Sequence, residues 1–310
     1  MNVTCGAEPR TAKRAAWFAV ALCLSGVAMF ALMDVLMKSA ALALGTYVAL
    51  LWRSLLASVI SGAGMIVTRN RWPPRNVMRL HVLRALLIAP MAWLFFWALT
   101  KLPVAEAIGL SFIAPIIALA LVPVLLGERV SRHAIWAAIM GTIGVVIIVS
   151  GRLSAVYSAD ALWGAGAALA SAVLFALNLL IQRRQAQVAG VIEVAFFQNL
   201  LVLALLLPFA PWLVSAPMEI TDSALTITGA AVLTVCSQIA LSAAYARASA
   251  SKLIPLEYSA FLWATLFGWL IFSEVPTVPV LAGVALIVIA CLIAAREKPE
   301  IAHPTEAESA

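Results

Sequence analysis

The stretch Ala107–Glu128, AIGLSFIAPIIALALVPVLLGE, carries no charged side chain until its last residue. As a helix, a run of about 20 apolar residues spans the roughly 30 Å hydrocarbon core of a bilayer. Lipid offers the backbone no hydrogen-bond partners, so such a run must satisfy its own N–H and C=O groups and folds as a spanning helix. The pattern returns at Leu253–Glu274, LIPLEYSAFLWATLFGWLIFSE. This second run has the same length, an aromatic residue where the first has Pro115, and the same terminal glutamate.

The rest of the chain is of the same kind. It is 64% hydrophobic and 11% charged over 310 residues, with a mean hydropathy of +1.05. Soluble domains carry about a quarter charged residues, and no soluble core of this size hides so much apolar surface. The fold class is therefore all-α integral membrane. Cys5, Cys23, Cys236 and Cys291 show no CxxC or metal spacing and read as packing residues. No cofactor or metal is expected.

Apolar segments of suitable length predict ten spans: 15–37, 42–67, 80–100, 105–126, 133–150, 162–182, 190–209, 224–245, 251–273 and 277–295. The first is too long for a signal-peptide core and lacks a small-residue cleavage site, so it reads as an uncleaved helix. Polar tails, 1–14 and 296–310, flank the spans. With the N-terminus inside, the cytoplasmic segments hold Arg10, Lys13, Arg14, Arg69, Arg71, Arg75, Arg79, Arg129, Arg132, Arg183, Arg184, Arg247, Lys252, Arg296 and Lys298. The outer loops then hold only Lys38, Lys101 and Arg152. That bias predicts both termini in the cytoplasm and an inner-membrane location. It also accounts for the net charge of +6 without a nucleic-acid partner.

At the constant offset that superposes the two opening stretches, Ala98 falls on Ala244, Lys101 on Arg247, Leu110 on Leu256, Ala114 on Ala260 and Glu128 on Glu274. Two repeats are expected, 15–150 and 160–295. Five spans per half is an odd number, so the second half enters from the opposite side and the repeat is inverted. Inverted repeats with a site at their interface are characteristic of secondary transporters.

Several segments carry a family resemblance: ALLWRSLLA with Arg53, ALTKLPVAEA, SFIAPIIALALVPVLLGERVS, WAAIMGTIGVVIIVSG, and the looser second copies AYARASASKLIPLEYSAFLWATLFGWLIFSE and VLAGVALIVIA. Over about 15–295 the chain resembles the EamA type of the drug/metabolite transporter superfamily. The resemblance implies ten helices, a central cavity between the halves and transport of a small organic metabolite. FALMDVLMK in the first span is similar to bacterial members that import cofactors such as riboflavin or S-adenosylmethionine. The second half departs from the pattern, with Asn199 opposite Arg53 and Ser273-Glu274 in place of Gly-Glu.

No phosphate-binding GxxxxGK[ST], HExxH or GxSxG is present, and His81, His133 and His303 fall at or beyond predicted span ends. An ATP-driven pump and an enzyme are both disfavoured. Ionisable groups within spans are the natural site candidates, because each is costly there. Arg53 near mid-membrane and Glu257 are the deepest. Asp34 is the preferred partner of Arg53, although it also stands four residues from Lys38. Glu257 is the candidate proton carrier. Glu106 and Glu193 read equally as first-turn residues at the two surfaces. Arg84 reads as a side chain that snorkels to the cytoplasm.

Ser171 with Asn178, and Gln238 with Ser242 and Tyr245, recur at helical spacing and face either a cavity or another helix. Trp93, Trp97, Ser111, Phe112 and Tyr258 are candidates for the wall of a site that takes a flat organic ligand, with packing as the alternative reading. Pro90 and Pro115 are expected to bend their helices. Glu128 and Glu274, at span ends, are assigned a structural or gating role. The expected protein is a monomer or weak homodimer in the bilayer, moving a small organic metabolite by alternating access. A passive channel-type facilitator or exchanger, or a membrane scaffold subunit, is the alternative.

Overall fold

A computed structural model describes residues 9–102, 104–111, 113–128, 130–150, 159–213, 223–272 and 278–295. Among these residues every regular element is helical. The first half contains α1 (Pro9–Leu44), α2 (Thr46–Val67), α3 (Arg75–Lys101), α4 (Val104–Ser111), α5 (Ile113–Leu125) and α6 (Arg132–Ser150). The second contains α7 (Ala159–Val188), α8 (Val191–Leu206), the short α9 (Ala210–Leu213), α10 (Ala224–Arg247), the one-turn α11 (Ala250–Leu253), α12 (Ser259–Phe272) and α13 (Val278–Ala295). Among the described residues eight helical segments are long and apolar enough to cross a membrane. The predicted fifth and tenth spans correspond to α6 and α13, the shorter helices of 19 and 18 residues.

Two boundaries differ from the sequence reading, and one span changes its helical geometry midway. The first helix does not stop at Met37 but runs to Leu44, through a stretch of helix-forming Ala and Leu. The chain turns at Gly45, whose φ of 81° is open to glycine at little cost. The sixth span does not end at 182. α7 continues to Val188 and carries Arg183, Arg184 and Gln185 on its last turns. The ninth span is helical throughout, but it tightens to 3-10 geometry at Ile254–Tyr258 between α11 and α12. Pro255 has no N–H to donate there.

The helices pack in exchanged pairs. α1 lies along α10, and α3 lies along α7. α1 also meets α12, as α7 meets α5; α2 meets α10, as α8 meets α3. α2 packs on α8, and α6 on α13. Small residues permit the approach. A Cβ at Gly26 of α1 would stand 2.8 Å from Leu241 of α10, and one at Gly141 of α6 would stand 2.7 Å from the Tyr258 ring. Tyr47 Oη donates to the Leu206 carbonyl at 2.6 Å, joining α2 to the end of α8. Trp17, Leu86, Trp93, Trp136, Trp163 and Leu225 are exposed on the outside, an apolar surface suited to acyl chains.

Candidate functional site

A cavity of ≈ 170 Å³ lies where the two halves meet. The first half lines it from α1, α2, α3, α4 and α5, and the second from α7, α8, α10, α12 and the Ile254–Tyr258 turn. Its polar lining includes Asp34, Arg53, Arg84, Asn178, Gln238 and Glu257. Phe30, Phe95, Phe96 and Phe175 supply aromatic wall, with Met33 and Met91. Small sites of this kind combine apolar walls with a few converging polar groups.

Arg53, on α2, is 6% exposed. Its Nη1 donates to the Met33 sulfur at 3.7 Å, and its guanidinium lies 5.6 Å from the centre of the Phe96 ring. Its Nε is buried with no hydrogen-bond partner. Asp34, one residue on from Met33 along α1, interacts electrostatically with Arg53 across the cavity. The two make no ion pair within 4 Å. Asp34 is thus the carboxylate that acts on Arg53, at longer range than an ion pair, and both groups line the cavity.

Arg84 is the correction with the largest consequence. It does not snorkel: it is 3% exposed and bonded to three amide oxygens of α7. Nε donates to Asn178 Oδ1 at 2.9 Å, Nη2 to Gln182 Oε1 at 2.9 Å, and Nη1 to Gln185 Oε1 at 2.7 Å. Gln185 Nε2 in turn meets His81 Nδ1 at 2.6 Å, and His81 Nε2 meets Glu193 Oε1 at 3.0 Å. The amide oxygen of Gln185 is occupied by a guanidinium, so its NH2 faces the imidazole. Nδ1 is then the acceptor and Nε2–H the donor to Glu193. One polar chain therefore runs from Glu193, through α3 and α7, to the cavity wall.

Asn178, Gln182 and Gln185 fall on one face of α7, and Arg84, Ile88, Met91 and Phe95 on one face of α3. That shared spacing was the signal for Arg84 and for the Phe wall. It is missed when the sixth span is ended at 182 and when Trp93 and Trp97 are favoured on α3.

The other expected residues fall as follows. Glu257 lines the cavity at 7% exposure and accepts from Tyr245 Oη at 3.2 Å. Gln238 accepts from Asn199 Nδ2 at 2.7 Å, so the counterpart of Arg53 in the second half is a neutral amide held to its neighbours. Ser111 lines the cavity, but its Oγ donates to the Ala107 carbonyl. Ser171 Oγ donates to the Met91 carbonyl and ties α7 to α3.

Trp93 is 48% exposed on the outer surface. Trp97 lies under Lys101, whose Nζ is 5.9 Å from the ring centre and 3.0 Å from Asp160 Oδ2. Tyr258 is fully buried toward α6, its Oη 2.9 Å from Thr142 Oγ1. These three do not line the cavity. Phe112 and Glu274 lie outside the described residues, as does the side chain of Glu106. Pro115 lines the cavity, whereas Pro90 is exposed within an unbroken α3.

Glu128 joins three elements. Oε1 accepts from Arg183 Nε of α7 at 2.8 Å, and Oε2 accepts from the Ala250 N–H at the start of α11, also at 2.8 Å. Arg183 Nη1 also donates to the Tyr245 carbonyl at the end of α10. The end of α5 is thereby fixed to α7 and to the α10–α11 connection. No group of three His, Cys, Asp or Glu side chains among the described residues is placed to hold a metal ion.

The comparisons agree with this architecture. The chain is 25% identical to the pseudopaline exporter CntI of Pseudomonas aeruginosa over 276 residues, covering 87% of this chain and 93% of that protein. It is 27% identical to a riboflavin transporter of Brucella anthropi over 261 residues, covering 79% and 86%. A solved crystal structure of 19% identity superposes with a TM-score of 0.71, over 87% of this chain and 97% of the other, which shows a shared fold. The model of the EamA-like transporter family matches residues 17–150 and again 162–296. A multi-pass membrane chain matched over both halves in this way belongs to the EamA-like transporter family.

Proposed function

We propose that this chain is a secondary transporter that moves a small organic metabolite across the inner membrane by alternating access. In this reading it has ten spans in two inverted five-helix repeats, 15–150 and 160–295, with both termini in the cytoplasm. The observation that carries the proposal is the cavity, lined from both halves by an unsatisfied guanidinium, two carboxylates and an aromatic wall. Charged groups inside a membrane protein are costly unless they meet a substrate, an ion or each other. The packing supports the repeat: exchanging the halves turns the α1–α10 contact into α7–α3, and α1–α12 into α7–α5. The pairs α2–α8 and α6–α13 map onto themselves, as expected at a pseudo-two-fold axis. A channel would instead favour a ring of like groups around a pore. The basic residues on one side support cytoplasmic termini.

The test is counterflow in proteoliposomes. The metabolite that most raises the melting temperature of the purified protein in a library screen is loaded inside, and labelled uptake is followed. A transporter gives saturable uptake that accelerates with the internal load. Linear, unsaturable flux, or none, would defeat the proposal.

A further inference from the structure

The cavity holds two buried guanidiniums in opposite states. Arg84 is satisfied: each of its three nitrogens donates to an amide oxygen of α7. Arg53 has five N–H donors, yet its one hydrogen bond is the long contact to the Met33 sulfur. Its Nε is shielded and bonded to nothing, and among the described residues no carboxylate stands within 4 Å. The Phe96 ring offers its face to the positive charge, but a ring face accepts no directed N–H···O bond. A buried guanidinium left this way carries a desolvation cost that the longer-range charge of Asp34 offsets only in part, and a planar anionic group presenting two oxygens would meet its open donors.

We infer that Arg53 is the anchor of the ligand site, and that the ligand is a small organic carboxylate whose carboxylate sits on Arg53 with an aromatic or flat apolar body against Phe96. The ligand's charge follows from the lining. Arg53 is one cation, Arg84 is already occupied by amides, and Asp34 and Glu257 add two carboxyl groups to the same cavity. Of the two guanidiniums only Arg53 lacks an oxygen partner among the described residues, so the lining offers one bidentate place for an anion, and the two carboxyl groups beside it disfavour a second negative charge such as a phosphate dianion carries. The body follows from Phe30, Phe95, Phe96 and Phe175, which share the cavity with the guanidinium. The corresponding place in the second half, Asn199, is neutral and already bonded to Gln238 and to the Ala195 carbonyl. The carboxylate therefore has one docking point and a fixed orientation. This deepens the transport reading and rests on it for the site's purpose, though binding is measurable without transport.

The experiment uses the purified full chain in detergent and four matched pairs of probes: benzoate and benzamide, phenylacetate and phenylacetamide, nicotinate and nicotinamide, indole-3-acetate and indole-3-acetamide. Melting shifts and dissociation constants are measured for each. The inference expects at least one acid to bind and to exceed its amide in affinity by tenfold or more. It expects Arg53→Gln to lose that binding by tenfold or more, and Arg53→Lys to lose less because the charge remains. Equal affinity for acid and amide, binding unchanged in Arg53→Gln, or no binding by any of the acids would overturn it. The acid-to-amide ratio of the native protein decides the matter even if Arg53→Gln does not fold. A carboxylate that binds through Arg53 yet gives no counterflow would sink the transport reading and leave the binding site standing. Counterflow of a neutral compound, indifferent to Arg53, would do the reverse.

Discussion

Gln185→Leu should destabilise the protein more than any other single amide removal around the cavity. Gln185 is fully buried and works at both ends, accepting from Arg84 at 2.7 Å and meeting His81 Nδ1 at 2.6 Å. Leucine offers neither group. Loss of a hydrogen bond to a buried charge costs about 1.5–3 kcal/mol, and leaving the imidazole nitrogen unsatisfied costs about 1–2 more. Leucine is cheaper to bury than an amide, which returns about 1 kcal/mol, so the net loss is about 1.5–4 kcal/mol. Gln182→Leu is the internal control. Gln182 makes one bond to Arg84 and borders the cavity, where Arg84 can meet solvent, so its loss should be about 1 kcal/mol. Gln185→Glu should fall between the two, because the carboxylate keeps Arg84 but has no donor for His81. The assay is reversible unfolding of purified protein in mixed micelles by increasing SDS, read by loss of helical circular dichroism. A loss below about 1 kcal/mol for Gln185→Leu, or equal losses at 182 and 185, would refute the satisfied-Arg84 network.

Glu128→Ala removes two charge-assisted bonds at a partly buried site and should cost about 2–4 kcal/mol, with Arg183→Ala costing a similar amount and the double variant little more; additive losses in the same unfolding assay would show that the two do not act as a unit. Gly141→Ala would place a methyl 2.7 Å from the Tyr258 ring and should cost about 1–3 kcal/mol by overpacking, whereas Gly166→Ala, with nothing within 4 Å, should be neutral; equal effects at the two positions would contradict the close α6 approach. A phosphatase reporter fused after Arg296 should be inactive and a cytoplasmic fluorescent reporter active; the opposite pair of results would overturn the orientation drawn from the basic residues.

Much of this molecule is legible in its sequence because lipid leaves the backbone few choices. Spans, their count of apolar residues and the arginine at position 53 follow from hydropathy and from the cost of a charge in hydrocarbon. Which face of a helix turns inward is a different matter. Helices in lipid can be apolar all round, so the amphipathic stripe that orients a helix in a soluble protein is weak. Trp93 and Phe95 stand two residues apart on α3, yet one meets the outside and the other the cavity. Only the polar residues on the inner face distinguish them. Arg84 was legible in principle through its amide partners at 178, 182 and 185. A span boundary set by the paired arginines at 183 and 184 concealed the last of these, because α7 extends beyond its apolar stretch. Tyr258, adjacent to Glu257, faces away from the cavity because successive residues of a helix point about 100–120° apart.

Alternating access is the central claim, and paired spin labels test it most directly. One pair is placed at the outer end, at Lys101 of α3 and Leu270 of α12, and one at the inner end, at Arg79 of α3 and Arg247 of α10; all four positions are exposed. Distances are measured by pulsed dipolar spectroscopy in proteoliposomes that also show counterflow, with and without the metabolite that drives it. The account predicts that the outer and inner distances change in opposite senses when the metabolite is added. Two distances that stay constant, or that widen together, in a preparation that transports would contradict it.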